Sequence, residues 1–230
     1  MLNKIMPESI PDNFNRIMST VQSSTTRDVR LIAASKMVSI DRIRLAHQAG
    51  VKTFGENRMQ EAIPKIVSCQ DLDVDWHFIG HLQSNKAREA VQYFSHIHSV
   101  DSIKLMQHVE KEAARQSKKM KLLIELNLGA EATKHGLPEA ELANILEGSR
   151  ALHWCQVIGL MIIPPFAENP EEARPHFQKL RQLRDTWTKD FPALTELSMG
   201  MSHDYAIAVQ EGATMIRIGT ALFGPRPPRG

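Results

Sequence analysis

The segment Val29–Gly55, VRLIAASKMVSIDRIRLAHQAGVKTFG, holds one complete unit of the pattern that decides the fold. VRLIAAS is an aliphatic run too short for a helix, which predicts a strand. Ile40, Ile43, Leu45 and Ala46 then recur at helical spacing, and Gly50 ends that helix over 40–49. Val51–Gly55 begins the next strand.

Outward from this unit the alternation recurs about eight times along the chain. Further strands are predicted at Trp76–Gly80, His96–Val100, Lys121–Leu128, Gln156–Ile163, Leu194–Met199 and Thr214–Gly219. Helices are predicted over 56–68, 84–93, 102–116, 138–147, 170–189 and 204–212. Pro138 suits a first helical turn, and Phe177, Leu180, Leu183 and Trp187 anchor the longest helix. Continuous apolar runs mark strands covered on both faces by helices, and hence a parallel sheet. The pattern predicts an α/β chain folded as a single (β/α)8 TIM barrel. An open doubly wound sheet would use about five or six strands and a Gly-rich first turn, and the sequence has neither G-x-G-x-x-G nor a P-loop. An extra N-terminal helix is predicted over 8–23 within residues 1–28, and residues 225–230 are expected to be a loose Pro-rich tail. No linker composition interrupts 1–230, so one domain is expected.

Composition narrows the function classes. The chain has 230 residues, 42% of them hydrophobic and 23% charged, enough to bury a full core and unlike a disordered chain. Twenty-eight basic residues against 26 acidic ones give a net charge of only +2, spread along the chain, so no nucleic-acid partner is expected. Cys69 and Cys155 form no C-x-x-C motif, which argues for a reducing compartment. Pro7 and Pro11 break the N-terminus as a signal core, and no apolar run approaches about 18 residues. A cytoplasmic protein without a membrane partner is expected.

Unusual polar residues fall at the C-terminal ends of the predicted strands: Lys36, Glu56, Asn57, His81, Asn127, Ser198, Gly219 and Thr220. In a barrel these ends face one mouth, where ligand sites of this architecture are built. Any one of them is equally well explained as a turn or cap residue. Lys36, after Ala33, Ala34 and Ser35, is placed to be partly desolvated, as a Schiff-base lysine requires; taken alone it also fits a snorkelling end-of-strand charge. Ser198, Met199 and Gly200 would supply one anion loop and Gly219 and Thr220 another, with backbone N–H groups at a helix start. Against this, Ser202 and Asp204 are ordinary cap residues. Arg217 shares the face of Gly219 by period-two alternation, and a charge inside a barrel strand calls for a partner. An aldehyde-bearing, phosphorylated aromatic ligand satisfies all three features, and pyridoxal 5'-phosphate is such a ligand. Lys134 with Gly136 is a weaker anion candidate, and Ser84 reads as a helix cap. The histidines show neither H-E-x-x-H nor a Cys/His ligand set, so no metal site is expected.

VRLIAASK, TFGEN, WHFIGHLQSNK, ELNLGAEATKHG, GLMIIP and LSMGMSHDYAIAVQEGATMIRIGTALFG together resemble, in order and spacing, the pyridoxal 5'-phosphate homeostasis protein family, from about residue 29 to residue 224. The resemblance implies a fold type III barrel like the N-terminal domain of alanine racemase, holding the cofactor as an internal aldimine. It implies Lys36 as the Schiff-base lysine, and Ser198, Gly219 and Thr220 at the phosphate, beside the Met199 loop. It further implies Arg217 at the pyridine nitrogen, with Asn57 and Met161 lining the ring pocket. It implies no established catalytic turnover and no catalytic residue, but a carrier acting in vitamin B6 and amino-acid homeostasis. PLP-dependent apo-enzymes would be its recipients, and the chain a monomer or weak dimer. Met37, Val38 and Ser39 depart from the family's usual Thr-Lys-Pro, and Arg58, His81 and His203 replace a usual tyrosine, proline and acid. An amino-acid racemase of the same fold is the alternative; a sugar-phosphate aldolase with a Schiff-base lysine and no cofactor is a third class.

Overall fold

The computed structural model describes residues 9–128 and 135–225. Eight strands run parallel in a closed ring: β1 (Arg30–Ala34), β2 (Thr53–Glu56), β3 (Asp75–Phe78), β4 (His96–Val100), β5 (Met120–Asn127), β7 (Cys155–Ile162), β8 (Glu196–Met201) and β9 (Met215–Ile218). Pairing of β4 with β5 and of β9 with β1 closes the ring. A two-residue strand, β6 (Leu137–Pro138), lies beside the end of β5. The helices between strands are α2 (Ile40–Gln48), α3 (Met59–Ser68), α4 (Ala87–Tyr93), α5 (Ile103–Arg115), α6 (Leu142–Ser149), α7 (Arg174–Trp187) and α8 (Tyr205–Gln210). A one-turn helix, α9 (Thr220–Phe223), follows the last strand. This is the (β/α)8 barrel that the alternation predicts. Among the described residues no helix is long and apolar enough to cross a membrane.

Period-two alternation sorts the strand residues into two layers. Leu31, Phe54, Phe78, Ile97, Leu122, Leu160, Leu197 and Ile216 face the helices in one continuous core, while Ile32, Leu123, Ile158, Met161 and Met215 form a small apolar cluster inside the barrel. The rest of the interior is polar. The N-terminal helix α1 (Ile10–Ser24) starts at Ser9, whose hydroxyl and backbone exchange hydrogen bonds with Asp12 in a capping box. It buries Ile17 and Val21, packs on α2, α8 and α9, and donates from Asn13 to the Leu222 carbonyl at 3.1 Å.

Several expected boundaries move. Glu56 belongs to β2, and α3 starts only at Met59. Leu45 is exposed on α2, whose buried face is Ile43 and Ala46. Pro138 pairs with Asn127 in the short β6, and a 3-10 turn precedes α6. Ser198, Met199 and Gly200, expected as a loop, lie inside β8. There the register against β9 shifts between Ser198 and Met201, because Gly200 adopts φ +90 where a Cβ would stand 2.5 Å from that of Ala208. Lys134 and the tail residues 226–230 lie outside the described residues.

Candidate functional site

Lys36 stands two residues beyond β1, half-buried, beside a cleft of 450 Å³ lined also by Met37, Ser39, Arg42 and Phe223. What fixes its position lies behind the strand. Glu56 faces outward from β2, wholly buried, and pairs with Lys65 of α3 at 2.7 Å. Ser35 donates its hydroxyl to Glu56 at 2.7 Å, and Lys65 donates to the Ser35 carbonyl at 2.7 Å. Burial raises the Glu56 carboxyl above its ordinary value, against the hydrogen bonds of Lys65 and Ser35. Glu56 is therefore not a mouth residue: it clamps the residue before Lys36. The next residue, Met37, takes the left-handed region at φ 60, and its N–H donates to Glu61 at 3.2 Å. A side chain in that region costs about 1 kcal/mol, a strain that the turn around Lys36 carries.

Across the β1–β9 pairing lies the second element. Ala33 is in register with Ile218, so Gly219 and Thr220 leave β9 beside the end of β1, about 5 Å away across the ladder. The N–H groups of Gly219 and Ala221 both donate to the hydroxyl of Ser202, at 3.2 and 3.1 Å. Gly219 and Ser202 are half-buried and Thr220 is exposed. This knot of one hydroxyl and two amides stands at the mouth beside Lys36; α9 is a single turn, so its dipole adds little. Ser202 follows β8 directly, and the sequence reading treated it only as a cap. Asp204 holds the N-cap position of α8 but makes no side-chain cap bond; its carboxylate instead accepts from Met201 N–H at 2.6 Å and tightens the turn that carries Ser202.

Arg217 points into the barrel. Its guanidinium donates to the Ser198 carbonyl and hydroxyl, both at 2.7 Å, and to the Ile162 carbonyl at 2.8 Å. Burial lowers its pKa to about 10, against the attraction of Glu125. Glu125 lies on the facing side of the interior, and burial lifts it to about 7 although Arg217 pulls the other way. Three of the five arginine donors are thus committed to β7 and β8, and two have no partner among the described residues. Met161 sits in the apolar cluster below, in register with Ser198.

The structure gathers Lys36, Gly219 and Thr220 at adjacent strand ends, with Arg217 and Met161 inside the barrel. Ser198 is separated from the Ser202 knot: it is fully buried within β8 and bonded to Arg217 and His98. Met199 turns its side chain into the helix-facing core. Asn57 is exposed at a different cleft, of 620 Å³, with Arg58, His81 and Lys86. Gly80 packs so tightly on the Asn57 backbone that a Cβ would come within 2.3 Å of its carbonyl oxygen. Two donor groups that linear spacing hides also assemble, Asp75–His77–His96 and His81–Asp101–His135, each with one ligand-type atom per residue within 4.8 Å. In the first, the donors already hydrogen-bond to one another or to neighbouring residues.

Residues 5–227 match the family model described as alanine racemase, N-terminal domain. The pyridoxal phosphate homeostasis protein of Aquifex aeolicus (strain VF5) is 42% identical over 222 residues, covering 94% of this chain and 97% of that one. Its counterpart in Vibrio alginolyticus is 37% identical over 228 residues, covering 95% and 98%. Among solved structures, PipY of Synechococcus elongatus PCC7942 with PLP bound superposes with a TM-score of 0.86 at 40% identity, over 94% of this chain and all of that one. By this extent of match, the chain belongs to the pyridoxal phosphate homeostasis protein family, built on the alanine racemase N-terminal domain.

Proposed function

We propose that the chain binds pyridoxal 5'-phosphate at the mouth of its barrel and acts in intracellular vitamin B6 and amino-acid homeostasis as a holder of the cofactor, without catalytic turnover. The observation that carries this reading is the grouping of a half-buried lysine, an anion-accepting knot and a buried arginine with unspent donors on neighbouring strand ends. That PipY has been solved with PLP bound supports it. Bound there, the group would supply an aldehyde, and Lys36 is the amine that would hold it. The Ser202 hydroxyl, oriented by the N–H groups of Gly219 and Ala221, would hold the phosphate together with Thr220. Arg217 would present a cation to the ring nitrogen, and a cation there disfavours its protonation and so weakens the ring as an electron sink. Met161 forms the floor beneath.

On this reading the chain works as one barrel unit in the cytoplasm, as a monomer or weak dimer, and yields its ligand to PLP-dependent apo-enzymes. The test is spectroscopic. Protein incubated with pyridoxal 5'-phosphate develops a visible band near about 420 nm, where the conjugated imine absorbs, and Lys36→Ala does not. A protein that stays colourless contradicts binding. Brisk deuterium exchange at the α-carbon of added amino acids contradicts the holder and favours a racemase.

A further inference from the structure

The interior of the barrel holds a row of buried polar side chains that the cofactor reading leaves unused. Arg217 donates to the Ser198 hydroxyl at 2.7 Å, and that hydroxyl lies 2.9 Å from His98 Nδ1. His98 Nε2 lies 2.9 Å from His77 Nδ1, and His77 Nε2 lies 3.0 Å from Asp75. Asp75 opens β3 at the pole opposite the mouth. There it lines a 590 Å³ cavity with His96, Lys121, Trp154 and Cys155.

The carboxylate end fixes the direction of every link. Burial would raise the Asp75 carboxyl, but hydrogen bonds from His77 and Ser95 outweigh it and hold the group below its usual range, so it accepts. Burial keeps His77 and His98 below their usual range, hence neutral, with one N–H each. His77 must then carry its proton on Nε2 and accept at Nδ1. His98 must donate from Nε2 and accept at Nδ1, and Ser198 must turn its O–H to His98. Ser198 then keeps its lone pairs for the guanidinium, which can only donate. Reversal would have Ser198 accept from His98 and Arg217 at once, with its own proton turned out of the row.

We propose that Asp75, His77, His98 and Ser198 form a one-way hydrogen-bond relay that positions Arg217 against the ring of the ligand at the mouth, making Asp75, His77 and His98 positioning residues for cofactor retention. This rests on the binding reading above. The far pole thereby acts on the mouth through the barrel interior. Removing the Asp75 charge frees the chain to invert and loosens the seat of Arg217, while Lys36 and the Ser202 knot stay in place.

Two measurements test it. Nitrogen-15 NMR of the histidine rings in the ligand-free protein should show His77 and His98 neutral with the proton on Nε2; a charged ring or an Nδ1–H tautomer in either overturns the relay. With pyridoxal 5'-phosphate bound, Asp75→Asn and His98→Gln should lose the cofactor on dialysis roughly three- to tenfold faster than wild type, the effect of one buried hydrogen bond. His96→Gln should lose it at the wild-type rate, since His96 stacks on His77 at 3.8 Å and lies 3.6 Å from Asp75 but carries no link toward Arg217. Asp75 is 40% exposed, so its isosteric variant keeps the fold. Wild-type release rates in both relay variants overturn the positioning role. Wild-type protein that takes up no cofactor overturns the binding reading and this role together, and the ring tautomers then decide the relay by themselves.

Discussion

The two walls of the mouth are built from different materials. Behind Lys36 stands a buried ion pair of side chains, Glu56 with Lys65, that grips Ser35 at both its hydroxyl and its carbonyl. Across the ladder, the Ser202 knot is made of two backbone amides and one small hydroxyl. A wall of side-chain charges depends on each partner, because losing one leaves the other buried and uncompensated. A wall of backbone amides depends on the chain path, which strand pairing maintains whatever the side chains are. The lysine wall should therefore fail through the fold, and the anion wall through affinity alone.

The sharpest attempt to break this contrast is Glu56→Ala. Stranding Lys65 should cost about 3–5 kcal/mol in chemical denaturation, and the cofactor band should weaken with the fold. A loss below about 1 kcal/mol would erase the distinction between the walls. Glu125, facing Arg217 between them, gives a pH test. Its carboxyl is raised by burial from 4.5 to about 7, so the fold favours the protonated form. That stability is present in full below the unfolded value and is lost as pH rises through about 7. Glu125→Gln does not titrate there, so at pH 8 it should be more stable than wild type by about 2 kcal/mol, with the gap closing toward pH 4.5. On the anion wall, Ser202→Ala should leave the denaturation midpoint within about 0.5 kcal/mol of wild type while weakening cofactor affinity about tenfold, as seen by equilibrium dialysis. The smallest effect is expected at Met37, whose φ of 60 suits glycine. Met37→Gly should shift stability by under about 1 kcal/mol, measured by thermal unfolding, because relief of strain is offset by a more flexible unfolded chain.

The barrel was legible because its signal repeats: eight apolar runs cannot all be misread when each is followed by a helical period. Lys36, Gly219, Thr220 and Arg217 were legible because their places in a strand are read directly from alternation. Ser202 was not, since the reading ended β8 at Met199, and the register shift that carries the strand to Met201 depends on how Gly200 packs on α8. Glu56 looked like a mouth residue for a related reason. One residue of strand length decides whether a side chain faces the opening or the helices. The relay of His77 and His98 was invisible, because it joins three strands through ring nitrogens and no spacing along the chain announces it.

The most direct test of the account is mass spectrometry of the protein after incubation with pyridoxal 5'-phosphate and reduction with borohydride. The account predicts a single stable pyridoxyl adduct on the peptide containing Lys36. An adduct on another lysine, or none, would contradict it.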